Sequence, residues 1–127
     1  KMQPHILIVE DSQPVRKSIR EWLGINFPDC LFHEAGSGEE ALQLAAKDDL
    51  HLVLMDIELP GMNGLTATRK IKKLCPRTEV LILTIHEDIR YQDEAAAAGA
   101  GSFLPKREMY KRLVPMMEII LAKVKAN

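Results

Sequence analysis

Three acidic residues stand where short apolar runs end. Glu10 and Asp11 follow the run Ile6–Val9, and Asp56 follows the run Leu52–Met55. Short apolar runs with polar flanks are typical of strands that are buried on both faces. In a parallel sheet the carboxyl ends of the strands lie along one edge, where open α/β folds build their binding sites. We therefore expect the three carboxylates to lie close together.

Two further polar residues occupy equivalent positions in the chain. Thr84 follows Val80–Leu83, and Lys106 follows Ser102–Pro105. Phosphoryl transfer needs in-line positioning and neutralisation of charge, which an ammonium, a hydroxyl and a divalent cation supply. A carboxylate in the same place can attack phosphorus and form an acyl phosphate. These residue types predict a phosphoryl site at the sheet edge, with Asp56 as its nucleophile.

The acids themselves predict a divalent cation. Crowded carboxylates repel one another unless a cation lies between them, and Mg²⁺ prefers oxygen ligands. Asp11 and Asp56 are the expected direct or near-direct ligands, and Glu10 is expected to reach the ion through water. The backbone carbonyl of Glu58 is the further ligand that we expect. Mn²⁺ would suit the same oxygen donors.

Alternating strand and helix patterns position these residues. Strands are predicted at 6–9, 30–35, 51–55, 80–83 and 102–104. Helices are predicted at 13–23, after Ser37, at 65–74, at 88–98 and from Met109 onward. Ser37 with Glu40 has the pattern of a capping box, and Gly99 is expected to cap the fourth helix. The alternation predicts a parallel sheet with right-handed crossovers and helices on both faces.

Several residues are expected to bound these elements. Ser12 is the expected N-cap of the first helix, and Gly24 with Pro28 is expected to end that helix. Pro105 should end the last strand or lie at a sheet edge, and Pro115 should kink or break the last helix. Residues at helical spacing are expected to bury one side of that helix: Met109, Leu113, Met116, Met117, Ile120 and Val124.

Composition is consistent with one globular domain over residues 1–127. The formal net charge is -1, which gives no general attraction to nucleic acid or to a membrane surface. No apolar stretch approaches the length of a membrane span. Cys30 and Cys75 lack metal-like spacing, and we expect them to be reduced thiols in the cytoplasm. The basic residues of the third helix are expected to form a solvated face.

A set of spaced residues resembles a known family. They are the acidic pair Glu10-Asp11, Asp56 with Pro60 four and Gly64 eight residues later, Thr84 and Lys106. Together they resemble the CheY-like receiver domain of two-component response regulators, over nearly the whole chain. The resemblance implies a flavodoxin-like three-layer sandwich, with a five-stranded parallel sheet of order 2-1-3-4-5.

The resemblance also implies roles for individual residues. Asp56 would accept a phosphoryl group from a phosphohistidine of a sensor histidine kinase, and Glu10 and Asp11 would be the acidic pair of the magnesium site. Thr84 would be the switch hydroxyl and Lys106 would contact the phosphoryl group, while Phe103 occupies the aromatic switch position. The domain would not be an enzyme beyond self-phosphotransfer and autodephosphorylation.

The chain departs from the common receiver pattern near its site. Pro105 precedes Lys106 and Arg107 follows it, so no cis lysine–proline bond is expected. Ile85 is bulkier than the small residue common after the switch hydroxyl, which predicts tighter access to the phosphoryl group. Glu58 and His86 flank the site, and we expect them to tune water access and therefore the phosphate lifetime.

The segments 83–88 and 98–106 resemble receivers of NarL/LuxR-type transcription regulators. This resemblance implies a C-terminal DNA-binding effector domain that lies outside these 127 residues. It also implies a homodimer through the face of helix 4, strand 5 and helix 5, with Ile89, Tyr91 and the methionines of the last helix as apolar candidates. This fragment itself is expected to contact neither DNA nor a membrane.

Three alternatives stay open at this stage. A stand-alone chemotaxis-type receiver would act by binding a separate target protein. A flavin-binding protein is disfavoured because the loop after the first strand begins with Glu10-Asp11, which repels phosphate in the absence of a cation. An aspartate-nucleophile phosphatase usually has a second aspartate two residues after the nucleophile, where this chain has Glu58.

Overall fold

The computed structural model describes residues 3–126, in which five strands alternate with five helices. A 3-10 turn, Lys106–Glu108, joins the last strand to the last helix. The elements are β1 (His5–Val9), α1 (Gln13–Asn26), β2 (Leu31–Ala35), α2 (Gly38–Lys47), β3 (Leu52–Met55), α3 (Gly64–Leu74), β4 (Glu79–Thr84), α4 (Ile89–Ala98), β5 (Ser102–Pro105) and α5 (Met109–Ala126).

The five strands form one parallel sheet in the order β2-β1-β3-β4-β5. This confirms the predicted fold class and strand order. Val9 lies opposite both Ala35 and Met55, so the residues that follow β1 and β3 leave the sheet at the same level. Pro105 pairs with Thr84 and is the last residue of the edge strand β5, as predicted.

Each strand contributes side chains to two separate cores, because successive side chains point to opposite faces of a sheet. Leu7 and Val53 belong to a core that α2, α3 and α4 cover, together with Ile71. Ile6 and Leu52 belong to a core that α1 and α5 cover. Burial of a large aliphatic side chain contributes about 1.5–3 kcal/mol. Helices therefore pack on both faces, and the central strand β3 is apolar and buried throughout.

The first helix is longer than predicted, because Gly24 does not end it; Pro28 does follow directly after the C-cap residue Phe27, as expected of a helix stop. The helix continues through Gly24 to Asn26, and the N–H of Phe27 donates to the carbonyl of Leu23 at 2.7 Å. A glycine inside a helix costs about 1 kcal/mol relative to alanine. Burial of Leu23 on the core side of the helix outweighs that cost.

The last helix also differs from its prediction, because α5 continues without a break through Pro115. Pro115 lies on an exposed side of the helix, and Lys111, whose carbonyl loses its usual donor, is also exposed. Water can bond that carbonyl. On the other side a buried stripe with a spacing of four residues holds the helix against the sheet: Met109, Leu113, Met117 and Leu121. Met116 and Ile120 are only partly buried there.

All three predicted cap residues occupy their predicted positions, but only two of them make the expected capping arrangement. Ser37 Oγ accepts from the N–H of Glu40 at 3.1 Å, and Gly99 adopts a left-handed conformation with φ of 103°. Ser12 occupies the N-cap position of α1, but its side chain makes no capping hydrogen bond. None of the helices within residues 3–126 has an apolar stretch long enough to cross a membrane.

Candidate functional site

The three predicted acids meet at the carboxyl edge of the sheet. One carboxylate oxygen each from Glu10, Asp11 and Asp56 lies within 4.8 Å of the other two. The backbone extends the sheet ladder to hold them, since the N–H of Glu10 donates to Ala35 and the N–H of Asp56 donates to Val9. Glu10 and Asp56 are only 4% and 6% exposed, whereas Asp11 is open to solvent.

Lys106 joins the acid cluster from β5, as predicted. Its Nζ donates to Glu10 Oε1 at 2.6 Å and to Asp56 Oδ2 at 2.9 Å. Burial of the ammonium lowers the pKa of Lys106, but the hydrogen bonds and charges of the two carboxylates outweigh burial, so the pKa is raised. No cis peptide bond occurs in the described part of the chain, which agrees with the expectation from Pro105 and Arg107.

Neighbouring backbone groups orient the two buried carboxylates. The N–H of Ser12 donates to Glu10 Oε2 at 3.1 Å, and the N–H of Glu58 donates to Asp56 Oδ1 at 3.2 Å. Each carboxylate therefore accepts one backbone hydrogen bond and one from Lys106. This arrangement leaves little rotational freedom for either group, and it aims Asp56 into the cleft that the cluster lines.

Arg16 supports the loop of the acidic pair, and the sequence analysis did not identify it. Its Nη1 donates to the Glu10 carbonyl at 2.6 Å, and its Nε donates to Glu34 Oε1 at 2.8 Å. The hydrogen bond from Arg20, together with that from Arg16, lowers the pKa of Glu34. The sequence contained one signal for this contact: Arg16 is a basic residue of the first helix, six residues after Glu10.

Gly64 makes room for the backbone of Asp56 and Ile57. A Cβ at this position would lie 1.9 Å from the Asp56 carbonyl oxygen and 2.9 Å from the Ile57 Cα. The N–H of Gly64 also donates to the Ile57 carbonyl at 2.8 Å. The sequence analysis noted Gly64 for its spacing from Asp56, and the structure supplies the physical reason: the start of α3 packs directly against this backbone.

Thr84 lies at the same edge, but its hydroxyl does not line the cleft. The residue is fully buried, and its Oγ1 accepts from the N–H of His86 at 3.3 Å. Phe103 is half-buried and packs against the core that α2, α3 and α4 cover. The structure therefore gathers Glu10, Asp11, Asp56 and Lys106 at the cleft and places Thr84 and Phe103 behind it.

An open cleft of about 850 Å³ lies above the cluster. Glu58 Oε1 lies 2.5 Å from His86 Nε2 at its mouth, and the His86 ring stacks on Tyr91 with centroids 4.5 Å apart. Ile85 lines the cleft and is 63% exposed. These side chains connect the β3–α3 loop to α4. The sequence analysis named Glu58 and His86 here but did not predict the stack on Tyr91.

The donor set fits a hard divalent cation. Three carboxylates supply oxygen ligands, which suit Mg²⁺ and Mn²⁺, and the openness of the site at Asp11 leaves room for the waters that Mg²⁺ usually keeps. A cation there would offset the repulsion between Asp11 and the two buried acids, which a single ammonium only partly balances. The proposed ligand role of the Glu58 carbonyl stays a prediction.

This fold and this cluster define a receiver domain, and comparison with known proteins agrees. Residues 6–118 match the family model described as "Response regulator receiver domain". The chain belongs to this family, which is a signalling family rather than a family of classical enzymes.

Curated relatives place the chain among receivers of LuxR/NarL-type regulators. The transcriptional activator protein ExaE of Pseudomonas putida is 39% identical over 101 residues, which cover 80% of this chain and 47% of ExaE. The response regulator GacA of Pseudomonas protegens is 32% identical over 117 residues, which cover 92% of this chain and 55% of GacA. The chain spans about half the length of the curated relatives it matches.

Solved structures agree with this placement. A LuxR-family response regulator from Aurantimonas sp. superposes with a TM-score of 0.88 at 31% identity, over 96% of this chain and 87% of that one. The response regulator TrrA of Thermotoga maritima, solved in complex with Mg²⁺-BeF, superposes with a TM-score of 0.83 at 26% identity, over 93% of this chain and 99% of that one. The predicted family is confirmed.

Proposed function

We propose that Asp56 accepts a phosphoryl group from a phosphohistidine of a sensor histidine kinase in a magnesium-dependent reaction. The observation that carries this proposal is the meeting of Asp56 with Glu10, Asp11 and Lys106 at one edge of the sheet. An Asp56 oxygen attacks phosphorus, the P–N bond of the phosphohistidine breaks, and its electron pair returns to the imidazole nitrogen. The product is an acyl phosphate on Asp56.

Asp11, Asp56 and, through water, Glu10 would hold Mg²⁺, with the Glu58 carbonyl as a further ligand. When bound, the ion supplies positive charge to the phosphoryl oxygens. Lys106 is the protein's own cation at the site, and it already bonds the oxygen of Asp56 at 2.9 Å. We infer that it moves its hydrogen bond to the phosphoryl group once the acyl phosphate forms.

We propose that Thr84 and Phe103 transmit the conformational change that phosphorylation of Asp56 causes. Phosphorylation adds roughly -1.5 to -2 charges, and a hydroxyl that turned toward this group would give up its bond to the His86 N–H. The segment between β4 and α4 would then move. Phe103 packs next to this segment in β5, opposite Ile82 of β4, and we infer that it follows the movement.

The proposed output is control of a transcription regulator in the cytoplasm, through a C-terminal effector domain that binds DNA. The names of the relatives that match, among them a transcriptional activator, favour this function over the stand-alone chemotaxis-type alternative. Homodimerisation through α4, β5 and α5 is part of the proposal. Met109 and Met117 are buried in the core and cannot serve in that interface, whereas Ile89 is 63% exposed.

Acetyl phosphate with Mg²⁺, followed by peptide mass mapping, tests the phosphoacceptor. We expect one phosphoryl adduct, on Asp56, that forms only with the metal and is absent from Asp56→Asn. The matched control is Asp93→Asn, which changes an exposed acid of α4 and should leave the adduct intact. An adduct on another residue, or one that persists in Asp56→Asn, contradicts the proposal. Repeated turnover of a phosphomonoester would instead favour the phosphatase alternative.

A further inference from the structure

Three of the four histidines lie together toward the amino ends of the strands. Asp56 lies at the opposite, carboxyl end of the sheet. His5 begins β1, His51 directly precedes β3, and His33 lies within β2. Leu7 pairs with His33 and lies two residues after His5, so the side chains of His5 and His33 point to the same face. All three histidines are partly accessible to solvent. The proposed phosphoacceptor chemistry uses none of them.

His5 and His33 are in direct contact through ring nitrogens. His5 Nδ1 lies 3.0 Å from His33 Nε2, and the two rings are nearly parallel, with an interplanar angle of 17° and centroids 5.1 Å apart. A neutral imidazole carries one N–H and one nitrogen lone pair. Between two neutral rings, such a contact is one N–H that donates to one lone pair.

His51 holds His5 in place rather than offering a third ligand. Its Nδ1 accepts from the backbone N–H of His5 at 2.9 Å. In a neutral ring this bond puts the proton of His51 on Nε2, which leaves no free lone pair. The ring centroids of His5 and His51 are 6.0 Å apart. The side chain of His51 thus anchors the strand residue that carries the His5 ring.

We propose that His5 Nδ1 and His33 Nε2 bind a late first-row divalent cation, with Zn²⁺ as the representative ion. Imidazole nitrogens suit Zn²⁺, Ni²⁺ and Cu²⁺, whereas the carboxylates around Asp56 suit Mg²⁺. Two nitrogen ligands at Zn–N distances near 2.0–2.1 Å lie about 3.3 Å apart in a tetrahedral site. The present separation of 3.0 Å is a few tenths of an ångström shorter, and the two rings must also turn so that both lone pairs point at one ion rather than at each other.

Two neutral rings bind the ion by moving a proton within one ring. Both contacting nitrogens must present lone pairs to the ion, so the ring that now donates moves its proton to its other nitrogen. Water completes the coordination. Five residue steps of nearly extended chain, a rise of roughly 16 Å, lead from His51 to Asp56. This site is therefore separate from the acid cluster, and the two edges of the sheet would hold different cations.

Zinc titration in millimolar Mg²⁺, which keeps the acid cluster supplied with its own ion, tests the site. By calorimetry we expect one zinc ion per chain, with the binding lost in His5→Ala and in His33→Ala. The matched control is His86→Gln, which removes the histidine outside this cluster and should retain the zinc isotherm. His51→Phe removes the anchor without removing a ligand, and we expect about tenfold weaker binding.

Nitrogen NMR of the histidine rings in the unsubstituted protein tests the same site without depending on how a variant folds. We expect zinc to shift His5 Nδ1 and His33 Nε2 and to leave the ring nitrogens of His86 unchanged. Zinc binding that survives both alanine substitutions would overturn the proposal, because the ion would then bind carboxylates or a thiol. Ring spectra that zinc leaves unchanged would overturn it as well.

Discussion

The two edges of the parallel sheet carry polar groups of different character. At the carboxyl edge, Glu10 and Asp56 are almost fully buried and share the ammonium of Lys106. At the amino edge, His5 Nδ1 and His33 Nε2 lie 3.0 Å apart in imidazole rings that are partly open to solvent. The first edge holds charges that must be balanced, and the second holds a short hydrogen-bonded contact between two rings.

This difference follows from how the chain leaves and enters the sheet. Beyond the carboxyl ends, the chain turns into loops whose backbone N–H groups point at Glu10 and Asp56. Those donors stabilise negative charge in a low-dielectric place. At the amino edge the polar side chains belong to the strands or directly precede them, and His51 bonds a strand N–H. We therefore expect the carboxyl edge to respond more strongly to substitution and to Mg²⁺.

The largest effect is expected from Gly64→Ala. The new methyl group would meet the Asp56 carbonyl oxygen at 1.9 Å, so the backbone of α3 or of the β3–α3 loop must move. Overpacking that forces the backbone to shift typically costs about 1–3 kcal/mol, and a contact this short with backbone atoms should fall at the upper end of that range. Urea unfolding should show a loss of that size in the free energy of unfolding, together with slower phosphorylation of Asp56.

Gly24→Ala is the matched control for this substitution. Gly24 lies inside α1, and a Cβ there would have no atom within 4 Å. Alanine is the better helix former, so we expect a gain of about 0.5–1 kcal/mol. Equal stability changes at Gly24 and Gly64 would mean that the close approach at the carboxyl edge is not a real constraint.

A smaller but more specific effect is expected from Lys106→Met. The substitution keeps the length of the side chain but leaves Glu10 and Asp56 without their shared cation. Loss of one partner from a buried hydrogen-bonded pair costs about 1–3 kcal/mol. Measured in EDTA, the free energy of unfolding should fall by this amount, and Mg²⁺ should restore much of it. The control is Lys73→Met on the exposed surface of α3, where we expect a change within about 0.5 kcal/mol.

The stabilising effect of Lys106 should also depend on pH in a defined direction. The two carboxylates raise the pKa of the folded Lys106. Its contribution is therefore fully present below the ordinary lysine pKa of about 10.4 and is lost as pH rises through the raised folded value. The difference in unfolding free energy between the unsubstituted protein and Lys106→Met should shrink only above that pH. A difference that already disappears between pH 7 and 9 would contradict the raised pKa.

The smallest effect is expected at the amino edge, from His51→Phe. Phenylalanine keeps an aromatic ring but removes the acceptor of the His5 N–H. One ordinary hydrogen bond at a partly solvated edge contributes about 0.5–1.5 kcal/mol. We expect a loss in that range, no sensitivity to Mg²⁺, and unchanged phosphorylation of Asp56. A loss as large as that of Lys106→Met, restored by Mg²⁺, would remove the distinction between the two edges.

The local sequence pattern was sufficient to predict most of the residues that meet at the carboxyl edge. Apolar runs that end in polar residues identified Glu10, Asp11, Asp56 and Lys106, because strand ends in a parallel sheet share one edge. Arg16 could not be predicted in the same way. Its contacts with the Glu10 carbonyl and with Glu34 depend on how α1 lies across β1 and β2. The spacing of apolar residues along the chain does not specify how α1 lies on the sheet.

At the helix ends too, some features could be predicted from local sequence and others depend on tertiary packing. Ser37 with Glu40 and the positive φ of Gly99 are local arrangements, and the sequence predicted both. Gly24 and Pro115 were misread because local propensity opposes a helix there, whereas the packing of Leu23 and of the α5 stripe against the sheet stabilises it. Burial of several large side chains exceeds the cost of one unfavourable residue.

The amino acid sequence by itself determined the alternation of strands and helices and the types of residue at the carboxyl edge, and its resemblance to the receiver family supplied the sheet order. These are properties of local period and of residue chemistry. Only the tertiary structure decided that Thr84 lies behind the cleft, that Tyr91 stacks on His86, and that His5 contacts His33. Contacts between residues far apart in the chain depend on strand register and helix placement, which short-range pattern does not specify.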